Sequence, residues 1–201
     1  MTKRRVGIAG YMGAGKTAAA GLLSSAAGPG GGQVVIVDAD DEAKALMRTD
    51  TGIRELLVKA FGGSIIKKNS LSFGTLGRIV FRSSEKLLRL NAIVHPPLVK
   101  RLCGLLEAQD DRGIILDAAV LPLWKIESLF DACLWIHAPF EQRLERLKQT
   151  RGDLNERSLR ERMRIQEACL PEPGRPPWRR IKNDGSIERL AGTLSGTICI
   201  L

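Results

Sequence analysis

The chain lacks the marks of several protein classes. None of its apolar runs reaches the about 18 residues that a membrane-spanning helix needs. Its amino terminus turns glycine-rich after a few basic residues, so we expect no signal peptide and a cytoplasmic location. Its two histidines and four cysteines are far apart and include no CxxC pair. We therefore expect reduced, mostly buried thiols rather than a disulfide framework or a zinc site.

Aromatic residues are few, at 4%, and acidic residues are outnumbered by basic ones. The 31 Lys and Arg against 22 Asp and Glu give a net charge of +9. This charge predicts an anionic partner, which could be nucleic acid, a membrane surface or a phosphorylated small molecule. Apolar residues make up 44% of the chain, which excludes a disordered or collagen-like protein. The length of 201 residues predicts a single domain.

Short apolar runs alternate with helical segments along the chain. Buried strands are predicted at 6–9, 34–37, 114–117 and 133–136, with a short fifth strand near Ile181. Helices are predicted at 16–27, over most of 41–109, and at 140–149, 156–168 and 187–194. In the long helical region, residues 56, 57, 60 and 61 form one apolar face and residues 87, 88, 90, 93 and 94 another. Apolar strands alternating with helices predict an α/β fold with a parallel sheet.

One motif identifies a class of ligand. Residues 10–17 fit the phosphate-binding pattern GxxxxGK[ST], between a predicted strand and a predicted helix. Its three glycines allow backbone N–H groups to turn toward phosphate oxygens, and the following helix adds the positive end of its dipole. Lys16 would bridge the β- and γ-phosphates of a nucleoside triphosphate, and the Thr17 hydroxyl would bind Mg²⁺. The predicted nucleotide-binding residues of this loop are Gly10, Gly13, Ala14, Gly15, Lys16 and Thr17.

Two carboxylates follow the second predicted strand. Asp38 and Asp40 lie at its carboxyl end, where ligands bind in open α/β sheets. On an extended chain their side chains would point the same way. One carboxylate could hold magnesium through water, and the other could accept a proton from an attacking hydroxyl. The alternative is that these residues cap the next helix, for which Asp40 or Asp41 would suffice.

In this order and spacing, the motifs resemble those of the dephospho-coenzyme A kinases, a P-loop family similar to the nucleoside monophosphate kinases. The resemblance spans nearly the whole chain and begins with the phosphate loop and the Asp-Ala-Asp segment at 38–40. It continues with a Phe-Gly pair at 61–62, a Leu-Asn pair at 90–91, a His-Pro pair at 95–96 and Asp117. The carboxyl-terminal part of the resemblance consists of Gln142, Arg146, Arg162, Gln166, Asn183 and Gly185.

The resemblance implies a three-layer P-loop kinase fold with a five-stranded parallel sheet. A single domain over residues 1–201 would comprise a nucleotide-binding core (about 1–50, 111–140 and 178–201), a helical acceptor-binding insertion (about 51–110) and a helical lid (about 140–168). The implied reaction is ATP- and Mg²⁺-dependent phosphorylation of the 3′-hydroxyl of dephospho-coenzyme A, giving coenzyme A and ADP. We expect no nucleic-acid or membrane partner, and a monomer or weak homo-oligomer.

The resemblance also implies roles for individual residues. We expect Asp40 to orient the acceptor hydroxyl and take its proton late, because a carboxylate with a pKa of about 3.9 is a poor base for an alcohol. Lys16 and Arg146 would neutralise charge on the transferring phosphate. Further nucleotide contacts are expected from Arg151, Asn183 and Gly185. Acceptor contacts are expected from Asp38, Phe61, His95, Asp117 and Arg162.

Two of these roles have alternatives in the sequence. His95 could be a helix-end residue before Pro96 with no role in binding. The stretch 143–180 holds ten arginines and one lysine against six acidic residues at helical spacing. Arg157 and Arg160 are therefore interpreted as parts of a solvated, salt-bridged face. Lid residues must bring positive charge onto phosphate and then release it, and the candidates are Arg146, Arg151 and Arg162.

The chain departs from the family pattern mainly around the acceptor site. Phe73 replaces an arginine, Ala119 replaces a proline, Pro177 and Trp178 replace an Ala-Asp pair, and a glycine-rich turn at 28–32 lengthens one connection. Another P-loop kinase, acting on a nucleoside, nucleotide or sugar-like acceptor, therefore remains open. So does a nucleotide-dependent switch or nucleic-acid-binding NTPase. Against this last class, the chain has no Asn-Lys-x-Asp segment. The arginine stretch at 143–180 also lacks interleaved aromatics, and most of its charges are expected to be paired.

Overall fold

A computed structural model describes residues 4–26, 34–108, 112–150, 154–174 and 176–198. The strands are β1 (Arg5–Ala9), β2 (Val34–Asp38), β3 (Ile66–Lys67), β4 (Ser70–Leu71), β5 (Gly113–Asp117), β6 (Ala132–His137) and β7 (Trp178–Lys182). The helices are α1 (Lys16–Ala26), α2 (Ala39–Thr49), α3 (Thr51–Phe61), α4 (Phe73–Val80), α5 (Ser84–Glu107), α6 (Phe140–Thr150), α7 (Glu156–Cys169) and α8 (Ile187–Ile198). The glycine-rich turn predicted at 28–32 lies outside the described residues.

Five strands form one parallel sheet in the order β2-β5-β1-β6-β7, which confirms the predicted α/β architecture. Strand β1 is central, and Val6 lies between Ile115 of β5 and Ala132 of β6. From β1 the chain crosses toward β2 on one side, whereas from β6 it crosses toward β7 on the other. Such a divergence of neighbouring strands opens a crevice at their carboxyl ends, where ligands of open α/β sheets bind.

Helices cover both faces of this sheet. On one face, buried residues of α1 and α8 pack against the strands, including Leu23, Leu190 and Leu194. On the other face, α2 and α5 contribute Ala39, Leu98 and Leu102 to a second cluster around Leu116 and Trp135. Continuous burial of strand side chains on both faces explains why these strands are uninterrupted apolar runs.

Two smaller apolar clusters lie outside the sheet. Helices α3 and α4, the start of α5 and the β3-β4 hairpin enclose one that includes Leu57, Ile65 and Leu76. Helices α6 and α7 enclose the other, which is built from Leu144, Leu147, Leu159 and Met163. Most residues of each cluster belong to the predicted insertion or lid, but Met47 of α2 belongs to the first cluster and Met12 of the phosphate loop packs against the second. The boundaries given for these segments stay predictions.

Helix α5 differs from the sequence expectation. It continues through Pro96 and Pro97, although each proline lacks the N–H group that the helix would use. Its buried stripe is Val94, Leu98, Leu102 and Leu106, at intervals of four residues. The predicted apolar faces are only partly buried: Leu57 and Val94 are in the core, whereas Leu56 and Leu88 are 52% and 51% exposed. Packing of the stripe on both sides of the prolines holds the helix together.

The β3-β4 hairpin was not predicted from the sequence, and its turn places Lys68 and Asn69 at positive φ.

The cysteines agree only in part with the prediction of mostly buried thiols. Cys133 is a buried free thiol, and its burial raises its pKa to about 12. Cys103 and Cys169 are half-buried, and Cys199 lies outside the described residues. Among the helices of the described ranges, none combines the length and apolar character needed to cross a bilayer.

We expect the buried stripe of α5 to dominate the stability of this helix. Leu102→Ala removes a side chain that is 1% exposed, and the expected loss is about 2–5 kcal/mol in the free energy of unfolding. Leu88→Ala, on the exposed face of the same helix, serves as the matched control and is expected to cost less than about 0.5 kcal/mol. Urea unfolding of both variants measures the difference, and equal losses would contradict the assignment of the stripe.

Candidate active site

The phosphate loop connects β1 to α1 at the carboxyl edge of the sheet. Its backbone adopts conformations that favour glycine, with φ of 74° at Gly13 and 93° at Gly15. A Cβ atom at Gly10 would collide with the carbonyl oxygen of Ile136, and one at Gly15 would collide with the side-chain amide of Asn183. Glycine is therefore required both by the curl of the loop and by its close neighbours.

Side chains from beyond the loop bind its carbonyl groups. The Asn183 side-chain amide donates to the Ala14 carbonyl at 2.7 Å, and Arg146 donates to the Asn183 carbonyl at 2.9 Å. Arg146 also makes longer contacts of 3.4 Å to the Gly13 and Ala14 carbonyls. The Ala14 N–H donates to the Tyr11 carbonyl within the loop. Four of the predicted site residues, Gly13, Ala14, Arg146 and Asn183, are thus in contact. The catalytic role of Arg146 stays a prediction.

A buried carboxylate faces the start of α1. The Thr17 hydroxyl donates to Oδ2 of Asp117 at 2.9 Å, and Asp117 is only 6% exposed at the end of β5. Burial raises the pKa of Asp117; Lys16 and the Thr17 bond lower it, and Asp38 and Asp40 add to the rise. These five predicted residues therefore lie within electrostatic range of one another. The sequence assigned Asp117 an acceptor contact, whereas the structure places it beside the predicted magnesium ligand.

The expected arrangement of Asp38 and Asp40 was wrong in its geometry. Asp38 ends β2 beside Asp117, and Asp40 is already the second residue of α2 rather than part of an extended chain. Oδ1 of Asp38 accepts from the Asp40 N–H at 2.8 Å and from the Asp41 N–H at 3.2 Å, so Asp38 itself is the N-cap. Its other oxygen makes no hydrogen bond within the described residues. Asp40 is exposed on the first turn of the helix.

His95 lies in the interior of α5, so its interpretation as a helix-end residue was wrong. Its ring packs edge-on against Trp124 with centroids 5.6 Å apart. Burial lowers the pKa of His95 to about 4, which keeps the imidazole neutral at neutral pH. The side chain lies between two clusters, because Val94 belongs to the insertion and Leu98 to the sheet. The acceptor contact assigned to His95 stays a prediction.

The remaining predicted residues are dispersed. Phe61 ends α3 and packs within the insertion cluster. The Arg162 guanidinium of α7 lies 5.0 Å from the ring centroid of Phe81, at the end of α4. Gly185 is exposed after β7, and Arg151 lies outside the described residues. Acceptor contacts by Phe61 and Arg162, and nucleotide contacts by Gly185 and Arg151, stay predictions.

Sequence reasoning missed Arg143, which is the most buried of the lid arginines. Its side chain, 3% exposed, donates to the Ala138 carbonyl at 3.0 Å, is paired with Glu167 and lies over the rings of Tyr11 and Phe140. The sequence could have indicated its burial, because Arg143 lies on the same helical face as the apolar residues 140, 144 and 147 of α6. Arg160 forms salt bridges with Glu141 and Glu156, which confirms its interpretation as part of a salt-bridged face.

The pKa of His95 gives the free energy of unfolding a defined pH dependence. In the unfolded chain the imidazole has a pKa of about 6.5. Between that pH and about 4, His95 is therefore protonated in the unfolded chain and neutral in the folded chain. The stability is therefore intact above about pH 6.5 and falls as the pH drops. Over this interval the free energy of unfolding of His95→Gln is expected to fall by about 1–2 kcal/mol less than that of the wild type, after allowance for the ring's partial exposure.

Urea unfolding at several pH values from 7 to 4 measures both free energies. Equal losses of unfolding free energy in the two proteins would contradict this prediction.

Comparison with known proteins agrees with this geometry. A family model described as dephospho-CoA kinase matches residues 4–187. A dephospho-CoA kinase from Deinococcus radiodurans is 31% identical over 198 residues, which cover 97% of this chain and 91% of that protein. A crystal structure of a protein from Thermus thermophilus covers 100% of this chain and 99% of its own, with 27% identity and a TM-score of 0.70.

A second solved structure, a dephospho-CoA kinase from Campylobacter jejuni, shares the fold at a TM-score of 0.61. It has 17% identity, over 98% of this chain and 96% of its own. The predicted P-loop kinase fold is confirmed by these matches. With the family model spanning nearly all of the sequence, the chain belongs to the dephospho-CoA kinase family.

Proposed function

We propose that this protein transfers the γ-phosphoryl group of ATP to the 3′-hydroxyl of dephospho-coenzyme A, giving coenzyme A and ADP. The observation that carries the proposal is the convergence of the phosphate loop with three carboxylates at one edge of the sheet. Thr17 contacts Asp117 directly, and Lys16, Asp38 and Asp40 all influence the Asp117 charge. Membership of the family supports the choice of acceptor.

The phosphate loop holds the nucleotide. The N–H groups of Met12 and Ala14 are used within the protein, so the glycine N–H groups and those that begin α1 are the ones available to phosphate oxygens. Lys16 places its ammonium group on the β- and γ-phosphates, where negative charge is greatest. Arg151 and Gly185 are proposed as further nucleotide contacts, and Asn183 supports the loop from behind.

The donor atoms near Thr17 fit a magnesium ion. A hydroxyl and a carboxylate lie 2.9 Å apart, and hard oxygen atoms are the ligands that Mg²⁺ prefers. Within the part of the chain that the structure describes, no group of three or more His, Cys, Asp or Glu side chains could hold a metal ion. We propose that Thr17 and Asp117 would hold Mg²⁺, with Asp38 contributing through water. The bound ion would neutralise charge on the phosphates.

Asp40 is proposed to act on the acceptor. The 3′-oxygen forms a bond to the γ-phosphorus as the bond from that phosphorus to the ADP oxygen breaks. The hydroxyl proton passes late to the Asp40 carboxylate, which is exposed at the start of α2 and free to meet a substrate. Most of the rate enhancement then comes from positioning and charge neutralisation rather than from strong basicity.

The insertion is proposed to bind the rest of the acceptor. His95 and Phe61 would contribute contacts from α5 and α3, and Arg162 would contribute from the lid. At the departure from the family pattern at Phe73, the Arg48 guanidinium of α2 lies 5.0 Å from the ring centroid. A positive charge is therefore present beside the residue that replaces the family arginine, which supports retention of an anionic acceptor.

The location and the oligomeric state of the enzyme are also proposals. We propose a cytoplasmic enzyme that works as a monomer or weak homo-oligomer. A P-loop kinase with another small acceptor is not favoured, because the family match covers residues 4–187. A nucleic-acid-binding NTPase is not favoured either, since Arg143 and Arg160 are engaged with carboxylates of the protein itself.

The direct test is an ADP-release assay with dephospho-coenzyme A, adenosine and AMP as separate acceptors. With ATP and Mg²⁺ we expect kcat/KM for dephospho-coenzyme A to exceed the other two by about 100-fold or more. Chelation of Mg²⁺ should abolish turnover, and Lys16→Ala should lower kcat/KM by about 1000-fold because charge on the phosphates is left uncompensated. Failure to release ADP with dephospho-coenzyme A, confirmed by the absence of coenzyme A, would refute the proposed function.

Variants of two neighbouring aspartates of α2 distinguish a specific role of Asp40 from a general effect of negative charge at the start of this helix. Asp40→Asn is expected to lower kcat by about 100–1000-fold, because an amide cannot accept the proton of the substrate hydroxyl. Asp41→Asn removes the same charge one residue away, but Asp41 is paired with Lys44 at 2.7 Å, and the variant is expected to retain wild-type kcat. Steady-state kinetics of the two variants decides the question, and an equal effect of both would argue against Asp40 as the proton acceptor.

A further inference from the structure

Helices α6 and α7, which form the predicted lid, make three contacts with Met12 of the phosphate loop. The Met12 N–H donates to Oε1 of Gln166 on α7 at 2.7 Å. The Met12 carbonyl lies 3.5 Å from a nitrogen of the Arg143 guanidinium on α6. The Met12 side chain packs against the apolar cluster that α6 and α7 enclose. Backbone and side chain of the same residue are therefore both held by the lid.

The neighbouring residues reinforce this attachment. The Tyr11 hydroxyl donates to the Leu170 carbonyl at 3.0 Å, just beyond the end of α7. At Gly13, an added Cβ would lie 2.6 Å from the Arg143 carbonyl oxygen and 3.1 Å from Cγ of Leu147. The loop backbone thus runs so close to α6 that no side chain fits between them at Gly13.

Arg143 is suited to holding the loop and unsuited to binding phosphate. Its side chain is 3% exposed, and its nitrogen atoms are engaged with the Ala138 carbonyl, the Met12 carbonyl and the Glu167 carboxylate. Its planar face lies over the rings of Tyr11 and Phe140 at 5.0 and 5.3 Å. A guanidinium with these neighbours transmits the position of α6 and α7 to the loop.

We propose that Arg143 and Gln166 are positioning residues for ATP, and that they act through Met12. By fixing both the N–H and the carbonyl of Met12, they set the direction in which the following N–H groups of the loop point. Loss of either contact lets the loop relax and weakens ATP binding, although neither side chain touches the nucleotide. The inference rests on the proposed function, because it takes residues 10–17 to be the ATP-binding loop.

The test measures ATP binding in the absence of acceptor, by titration calorimetry, together with thermal stability. Gln166→Met keeps the size of the side chain and removes the acceptor atom, and is expected to raise the Kd for ATP about tenfold. Met12→Ala removes the apolar anchor and is expected to raise the Kd similarly. In turnover assays, KM for ATP should rise in both variants while KM for dephospho-coenzyme A stays unchanged. If Arg143→Met fails to fold, these two variants still decide the question.

Arg160→Met is the matched control. Arg160, on α7, also binds α6, through Glu141 and the ring of Phe140, and it pairs with Glu156 of its own helix. In the described residues these contacts involve α6 and α7 and none involves the phosphate loop. This variant is expected to lower Tm and leave the Kd for ATP unchanged. The inference is overturned if Gln166→Met and Met12→Ala lower Tm as Arg160→Met does and leave the Kd for ATP at its wild-type value.

Lys16→Ala separates failure of the inference from failure of the proposed function. If Lys16→Ala weakens ATP binding while Gln166→Met and Met12→Ala do not, the positioning roles are refuted and the ATP site stands. If Lys16→Ala leaves ATP binding intact, residues 10–17 are not the ATP-binding loop, and both the inference and the proposed function fail.

Discussion

A phosphate loop can offer its N–H groups to a ligand only if its carbonyl groups find partners elsewhere. Buried backbone polar groups without hydrogen bonds are costly, and a loop that curls its donors inward turns carbonyls outward. In this protein the outward groups meet Asn183 after β7 and Arg146 and Arg143 on α6. Helix α6 and the residue that follows β7 therefore hold the phosphate loop in place, although they come more than a hundred residues later in the chain.

The order of strands brings these parts together. Strand β1 lies between β5 and β6, so the loop that follows it is flanked by Asp117 on one side and by the start of α6 on the other. Burial of Asp117 disfavours its charged form and raises its pKa. The Lys16 charge and the Thr17 hydrogen bond act in the opposite direction and favour the charged carboxylate.

Sequence patterns predicted what depends on local chemistry. The five parallel strands and the phosphate loop follow from residues close together in the chain. The start of α2 was predicted only in part, because the cap is Asp38 rather than Asp40 or Asp41. The continuation of α5 through Pro96 and Pro97 did not follow from nearby residues, because tertiary packing of Val94 and Leu98 overrides the local effect of proline. Likewise the pairing of Thr17 with Asp117 joins residues 100 positions apart. Their roles in binding and catalysis stay predictions.

The excess of positive charge has a different meaning once its members are located. In the sequence, the arginines of residues 143–180 divide into lid candidates at 146, 151 and 162 and a salt-bridged face at 157 and 160. In the structure, Arg143 is buried against Glu167, Arg146 holds carbonyl groups, and Arg160 pairs with two glutamates. Much of this charge therefore serves to join α6, α7 and the phosphate loop. The number of arginines in a lid is consequently a poor measure of how many contact phosphate, because a guanidinium also donates to carbonyl groups and carboxylates of the protein.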